Sequence, residues 1–259
     1  MTDRAVSEVL SFVLVFSVVV SVVGLVYVSG FAGLETARSA EQVDNAERAF
    51  DVLADNMADI HHHRAPSRKT EVKLADAQLQ YSGTTTEFDV TVGGVTDDEG
   101  ALRHFRAETT PIVYSAGSDT DVVYDGGAVV RRDGDYARVT RAPPIRTTDD
   151  GTLVVQYVQT NARERGVSGS RTVLVRGERT RSEILVTDED STESGDLTVT
   201  MNVTTASERV GAWESYLEGE LGCSPENVEP LDDGRTRFTC ETEASDLTVS
   251  VTSIDLELS

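Results

Sequence analysis

The residues whose chemistry depends most directly on their spacing are the two cysteines. Cys223 and Cys240 lie seventeen residues apart near the C-terminal end of the 259-residue chain. In an oxidising compartment such a pair can form a disulfide, which closes a loop and stabilises the fold by roughly 3 kcal/mol. The alternative is two unpaired buried thiols. If this part of the chain lies outside the cell, we predict the disulfide.

Histidines and acidic residues suggest two metal sites, and their spacing argues against both. The adjacent residues His61, His62 and His63 would point in different directions from a helix, so they cannot all ligate one ion. We expect them to form a solvated last helical turn, where they favour the helix dipole. The acidic run 188–196 has glycine at its eighth position and does not fit the EF-hand calcium loop. We expect a solvated acidic loop there.

Signatures of the common enzyme classes are missing from the sequence. It contains no G-x-x-x-x-G-K-[ST] phosphate loop, no G-x-G-x-x-G dinucleotide motif, no H-E-x-x-H zinc motif and no G-x-S-x-G nucleophile elbow. We therefore expect no catalytic residue, no cofactor, no metal ligand and no enzymatic activity. One modification site is predicted, because Asn202-Val203-Thr204 matches the N-glycosylation sequon, although Asn202 lies in a predicted strand.

The charge of the chain restricts its partners. The formal net charge is -22, from 45 acidic and 23 basic residues, and the only lysines are Lys69 and Lys73. Such a surface repels nucleic acid, so we expect no nucleic-acid partner, and its self-repulsion indicates adaptation to molar salt. The alternative is an ordinary acidic surface. Five arginines cluster in this acidic chain, and we expect them to neutralise acids of the same chain or of a neighbouring subunit: Arg131, Arg132, Arg138, Arg141 and Arg146.

An apolar segment near the N-terminus predicts a membrane helix. Residues 9–28 carry no charge, and at about 1.5 Å per residue they cover the ~30 Å hydrocarbon core of a bilayer. Arg4 precedes this segment, whereas Arg38 and Arg48 follow it among acidic residues. The positive-inside rule then puts the N-terminus in the cytoplasm and the bulk of the chain outside the cell. A secretory signal peptide is the competing interpretation.

The start of the chain resembles a known class of proteins. Residues 4–10, Arg-Ala-Val-Ser-Glu-Val-Leu, are similar to the class III signal of archaeal type IV pilins and archaellins. Many haloarchaeal pilins begin with a comparable basic-small-Val-Ser-Pro-Val-Ile segment, and Glu8 stands where they have proline. The resemblance implies cleavage after Arg4 by a prepilin peptidase, which leaves Ala5 as the mature N-terminus. Glu8 is then available to pair with the free amino group of a neighbouring subunit.

Helical periodicity continues beyond the apolar segment. Phe50, Leu53, Met57 and Ile60 recur at helical spacing, and no proline intervenes before Pro66. Residues 6–60 therefore predict one helix roughly 80 Å long. Its second half is amphipathic, which is what a stalk or a pilin-type spindle needs.

From residue 70 onward the pattern changes to alternation. Candidate strands of four to thirteen residues are separated by Gly-Gly and Asp-Gly turn signals, which predicts a mainly antiparallel, sandwich-like sheet structure. The turns are expected at residues 93–94, 125–127, 133–134, 149–151 and 232–234. The candidate strands are 71–80, 86–92, 103–108, 111–115, 121–124, 127–132, 136–140, 152–158, 171–175, 181–187, 196–203, 235–241 and 246–258.

A short helix interrupts the strands near the C-terminus. Residues 205–208 match a capping box, and Gly222 provides a stop, so a helix is predicted over about 206–221. Trp213 is expected to pack this helix on the sheet. The Cys223–Cys240 bridge would then tie the helix to a hairpin.

Together these features predict an α+β protein: a long transmembrane and amphipathic helix, then a β-rich extracellular domain with one short helix. The predicted divisions are a leader 1–4, a membrane helix 5–30, a stalk 31–63 and a β-rich domain 70–259. We expect a pilin-like surface protein that is single-pass in the cell membrane. Its expected partners are the lipid bilayer, other pilin-like subunits and a prepilin peptidase. The alternative is a monomeric, membrane-anchored extracellular domain that binds a ligand.

Overall fold

The computed structural model has the predicted α+β fold, in two compact units. It describes residues 2–96, 102–117, 120–162, 166–186 and 197–259. The first unit is Met1–Gln42 and the second is Val43–Ser259. The second unit therefore starts inside the long N-terminal helix and contains every described strand.

Helix α1 is Thr2–His62, which confirms the predicted long helix. In the first unit it contains Leu10–Phe31, 22 residues with the length and composition of a membrane span. Every described large apolar side chain of this segment is more than half exposed. A signal sequence near an N-terminus has the same properties. The α1 segment Leu10–Phe31 therefore has the character of an anchor or a signal.

The strands of the second unit form three sheets, which we call A, B and C. In chain order they are β1 Ser67–Lys73, β2 Ala77–Tyr81, β3 Thr86–Thr96, β4 Leu102–Thr109, β5 Ile112–Ser115, β6 Thr120–Asp125, β7 Ala128–Asp133, β8 Tyr136–Arg141, β9 Ile145–Thr147, β10 Thr152–Ala162, β11 Gly166–Gly169, β12 Thr172–Val186, β13 Leu197–Ala206, β14 Glu226–Pro230, β15 Arg235–Ala244 and β16 Asp246–Leu258. Helix α2, Val210–Leu221, lies between β13 and β14.

Every described strand pair is antiparallel except one. Sheet A has the order β1-β12-β16-β10-β9, sheet B has β11-β2-β5-β6-β7-β8, and sheet C has β14-β15-β13-β3-β4. The exception is β10 with β16, which run parallel from Thr152 beside Asp246 to Ala162 beside Leu256. The predicted mainly antiparallel arrangement is confirmed, but it is divided among three sheets.

Several predicted boundaries are wrong where the chain changes sheet. The predicted strand 71–80 is two strands, because β1 pairs in sheet A and β2 in sheet B. Asp76 has a positive φ of 59° at the crossing, and its backbone N–H donates to Ser170 Oγ at 3.1 Å. Two other predicted strands, 171–175 and 181–187, are one strand, β12. The turn predicted at residues 93–94 lies inside β3.

Buried residues show that sheets A and B lie between two other layers. On one side, α1 residues Phe50, Leu53, Met57 and Ile60 are fully buried in a core with alternate residues of these sheets. On the other side, alternate residues pack with sheet C and α2. Strands buried on both faces must be apolar at consecutive positions, which explains the run Ile112-Val113-Tyr114 in β5.

Arginines of sheet B hold the second-unit part of α1. Arg131 Nη1 lies 3.3 Å from Glu47 Oε2, and Arg141 Nη2 lies 2.5 Å from Asp55 Oδ1. These contacts confirm the prediction of neutralisation within the chain for these two arginines. Arg132 also pairs within the chain, with Asp121.

The predicted start of the short helix is wrong. Thr205 and Ala206 belong to β13, and α2 begins after Arg209 without a side-chain cap. Ser207 Oγ instead donates to the Gly234 carbonyl at 3.0 Å in the neighbouring turn. The predicted stop is correct, because Gly222 adopts a positive φ of 68° and its N–H donates to the Glu218 carbonyl.

Candidate functional site

The candidate site is a cavity of about 310 Å³ in the second unit, between the end of α1, the loop after β8, and α2. We call it the His61 groove. Its volume lies at the lower end of the range of about 300–1,000 Å³ for small-ligand pockets. The lining residues are Ala54, Ala58, His61 and His62 of α1, Tyr124, Gly127, Arg141, Ala142, Pro143, Pro144, Arg146 and Val158 of the sheets and loops, and Tyr216 and Glu220 of α2.

His61 forms part of the wall of the groove and is not a solvated residue. Its Nδ1 lies 2.7 Å from Thr252 Oγ1 and shares a hydrogen bond with it. Burial, reinforced by neighbouring His62, lowers the pKa of His61 to about 4, so the ring is neutral at pH 7. The prediction of a solvated turn is therefore wrong for His61. It is correct for His63, which is exposed and lies 3.0 Å from Asp59 Oδ1.

The opposite wall is a loop with two consecutive prolines, held at several points. Gly127 has a φ of 96°, and a Cβ there would come within 2.6 Å of Pro144 Cδ. The backbone N–H of Gln156 donates to the Pro144 carbonyl at 2.9 Å. Tyr216 Oη donates to the Ile145 carbonyl at 2.5 Å, and burial raises the pKa of this hydroxyl to about 12. The loop is therefore fixed to both β10 and α2.

The charged residues of the groove differ in how they are paired. Arg141 binds Asp55 and donates from Nη1 to the Asp51 carbonyl at 3.2 Å. In contrast, the side chains of Arg146 and Glu220 are exposed, and neither side chain has a hydrogen-bond or ion-pair partner among the described residues. Both lie within electrostatic range of the Tyr216 hydroxyl. The groove therefore presents one open positive group and one open negative group.

The side chains around the His61 groove are suited to binding a ligand. The hydroxyl beside His61 belongs to Thr252, which is fully buried, so a substrate in the groove does not reach it. A nucleophile must reach the substrate, and its base must reach the nucleophile. The side chains that do face the cavity offer charge, hydrogen bonds and apolar surface.

A buried ionic network lies next to the groove, under α2. Asp125 and Arg209 are at most 1% exposed, and Arg209 Nε lies 3.5 Å from Asp125 Oδ2. The same oxygen accepts hydrogen bonds from Thr86 Oγ1 at 2.7 Å and from Trp213 Nε1 at 3.4 Å. Trp213 is fully buried against Phe88, which confirms that it packs α2 on the sheets. In the sequence Asp125 looks like an ordinary residue of an Asp-Gly-Gly turn, so this network was not predicted.

The two cysteines form a disulfide, as predicted. Cys223 directly follows α2 and Cys240 lies in β15, with their Cα atoms 5.5 Å apart. Both residues are buried. The bridge ties the end of the helix to the hairpin of β14 and β15.

The predicted glycosylation sequon lies in the middle of a sheet. Asn202 is in β13, which pairs with β15 on one side and β3 on the other. Its Oδ1 accepts a hydrogen bond from Thr239 Oγ1 at 2.8 Å, and Thr204 is buried. Glycosylated sequons lie on accessible surface loops, so this placement argues against modification of the folded protein.

The structure describes the remaining predicted site residues only in part. The backbone of Arg4, Ala5 and Glu8 belongs to α1, and the described side chains begin at Leu10. The acidic run 188–196 lies outside the described residues. His104 has a partner that sequence does not reveal, since its Nε2 lies 2.7 Å from Asp89 Oδ1 on the neighbouring strand.

A family model matches nearly the whole chain. A model described as a family of unknown function, DUF7289, matches residues 4–257. No curated protein matches the chain, and no solved structure does.

Proposed function

Because the chain belongs to DUF7289, a family of unknown function, we propose its role from its own residues: it is a pilin-like, non-enzymatic protein of the cell surface. In this proposal α1 anchors the protein in the membrane or packs in a fibre. The β-rich unit lies outside the cell.

One observation carries the proposal. Leu10–Phe31 is an uncharged helix, and each of its described large apolar side chains is more than half exposed. Exposing so much apolar surface to water is unfavourable at about 25 cal/mol per Å². The segment therefore needs lipid or other helices around it, and a bilayer or a fibre core supplies either.

The disulfide supports placing the β-rich unit outside the cell. Disulfides persist in oxidising compartments and are rare in the reducing cytosol. The Cys223–Cys240 bridge lies in the second unit, whereas Arg4 precedes the apolar segment. Both features favour a cytoplasmic N-terminus and an exported second unit.

The pilin-like part of the proposal depends on Arg4, Ala5 and Glu8. Cleavage by a prepilin peptidase after Arg4 would free the amino group of Ala5. Glu8 of a neighbouring subunit would then pair with that amino group inside the assembly, where an unpaired carboxylate is costly. The excess of acidic residues is in keeping with a haloarchaeal, high-salt origin.

The mature N-terminus tests this proposal. We would measure it by mass spectrometry of the protein from its native membrane, for the wild type and for Arg4→Ala. We expect a terminus at Ala5 in the wild type and an uncleaved Met1 in the variant. Arg38→Ala, which changes an arginine beyond the apolar segment, is the control and should be cleaved normally. An intact wild-type Met1, or a cut near residue 30, would contradict the pilin-like proposal.

A second function, ligand binding by a monomeric anchored domain, is favoured by the His61 groove. It predicts an uncleaved N-terminus and no assembly through α1. The same mass measurement therefore separates the two proposals.

A further inference from the structure

We propose that the His61 groove binds a small zwitterion of amino-acid size, with its carboxylate on Arg146 and its ammonium on Glu220. This inference adds an activity to the proposed surface role. It does not depend on cleavage after Arg4 or on assembly through α1.

The charges of the groove point to this class of ligand. Of the two arginines that line the groove, Arg141 is paired with Asp55. Arg146 and Glu220 line the same cavity, and neither side chain forms an ion pair or hydrogen bond with the other or with another described residue. A guanidinium binds a carboxylate through two parallel hydrogen bonds, and a carboxylate accepts hydrogen bonds from an ammonium. A molecule that carries both a carboxylate and an ammonium pairs with Arg146 and Glu220 at the same time.

The two charges flank one side chain, Tyr216. Glu220 acts to raise the pKa of the Tyr216 hydroxyl, and Arg146 acts to lower it. Both groups therefore lie within electrostatic range of this hydroxyl, which is itself held by the Ile145 carbonyl. Since both side chains also line the same cavity, one ligand bound there can face both charges.

Size and shape restrict the ligand further. The cavity of about 310 Å³ is near the lower limit for small-molecule sites. Ala54, Ala58 and Val158 supply apolar surface for an aliphatic portion of the ligand. A free amino acid meets all of these conditions, and a betaine, whose quaternary ammonium has no N–H, pairs with Glu220 through charge alone. A polymer or a nucleotide is too large to be enclosed.

The walls of the groove are held in position by contacts within the protein. The Pro143–Pro144 loop is fixed by Gly127, Gln156 and Tyr216, as described above. Neutral His61 is held by Thr252 and adds no competing charge. A preformed site loses little conformational freedom on binding, which favours affinity for a small ligand.

Titration calorimetry with matched probes tests the inference. The full chain in detergent micelles would be titrated with the L-amino acids and glycine betaine, up to 10 mM. For leucine the comparison probes are 4-methylpentanoate, which lacks the ammonium, and isoamylamine, which lacks the carboxylate. We expect saturable binding of at least one zwitterion of the panel, at least tenfold tighter than binding of its two single-charge analogues.

Four variants locate the site. Arg146→Gln and Glu220→Gln should each weaken binding of the zwitterion at least tenfold. Arg138→Gln on β8 and Glu218→Gln on α2 change exposed residues outside the groove with the same change of charge, and should leave binding unchanged. No saturable binding across the panel would overturn the inference. It would equally be overturned if 4-methylpentanoate bound as tightly as leucine, or if Glu220→Gln had no effect.

Discussion

At the scale of single residues, the fold depends on polar groups that are buried and specifically paired. Asp125 shares one oxygen among Thr86, Trp213 and Arg209, and burial raises the pKa of this carboxyl despite these partners. A buried ion pair adds little net stability over an apolar pair, but removing one partner leaves a charge without compensation. The Asp125–Arg209 pair therefore fixes the position of α2 on the sheets.

Loss of the buried guanidinium should be strongly destabilising. We expect Arg209→Met to lower the free energy of unfolding by about 3–5 kcal/mol, because Asp125 is left buried without its cation. Urea denaturation measures this change. Adding Asp125→Asn should recover part of the loss, and Arg138→Met, at an exposed position, should have little effect. A loss below about 1 kcal/mol for Arg209→Met would show that the pair is not essential.

His61 should make stability depend on pH between about 6.5 and 4. Its folded pKa of about 4 lies below the ordinary value of 6.5, so the unfolded chain binds a proton that the folded chain does not. Stability therefore falls as the pH drops through this window and levels off below it. Since the ring is partly exposed, we expect about 1–2 kcal/mol instead of the roughly 3 kcal/mol that a full shift would give.

Urea midpoints at pH 7 and pH 4.5 test this dependence. The wild type should lose more stability on acidification than His61→Gln, in which the titrating ring is removed. Val52→Gln is the control, because Val52 is exposed on the same helix and carries no titrating group, so this variant should keep the wild-type pH dependence. Equal pH dependence in the wild type and His61→Gln would contradict the assignment.

At the scale of elements, α2 is held at both ends by contacts with distant parts of the chain. Arg209 lies at its start, and the Cys223–Cys240 bridge follows its last turn. The seventeen-residue separation of the cysteines makes the bridge a constraint on the unfolded chain as well as a link in the fold.

Removing the bridge should destabilise the second unit as a whole. We expect the double variant Cys223→Ala with Cys240→Ala to lose about 3 kcal/mol of unfolding free energy, from the greater entropy of the unfolded chain. Urea denaturation without reductant measures the loss, and the wild type with reductant should behave like the variant. Unchanged urea midpoints in both comparisons would contradict a stabilising role.

Local sequence patterns predicted the helices and strands better than they predicted which strands pair in which sheet. Phe50, Leu53, Met57 and Ile60 identify a buried helix face, and Asp-Gly turns identify the hairpins around β7, because both signals are local. The division of residues 71–80 between sheets A and B depends on pairing with distant strands, which no local pattern encodes. For the same reason the sequence did not reveal the groove, whose His61 contacts Thr252, 191 positions away. From the sequence, Arg146 was recognisable only as one of five clustered arginines, and Glu220 only as one of many acidic residues. Nothing local indicated that the two side chains line one cavity.

At the scale of the whole molecule, the acidic surface and the apolar segment of α1 favour different surroundings. The net charge of -22 favours dispersal in water, whereas Leu10–Phe31 favours lipid or other helices. In a membrane-anchored surface protein, the apolar segment lies in lipid or among other helices, and the acidic unit lies in water.

Salt should stabilise the folded state by screening its acidic residues. The Debye length falls from about 10 Å at 0.1 M to about 3 Å at 1 M salt, so self-repulsion is largely removed in this range. We expect the urea midpoint to rise with KCl and to approach a plateau by about 1 M. A midpoint that stays constant, or that rises linearly without a plateau, would contradict screening as the cause.

The most direct test of the central claim is the side of the membrane on which the β-rich unit lies. The chain has only two lysines, Lys69 and Lys73, and both are exposed on β1 of that unit. Intact and lysed cells would be treated with a membrane-impermeant amine-reactive reagent, and labelling of both lysines would be quantified by mass spectrometry. The account predicts equal labelling in intact and lysed cells. Labelling that appears only after lysis would place the unit inside the cell and contradict the account.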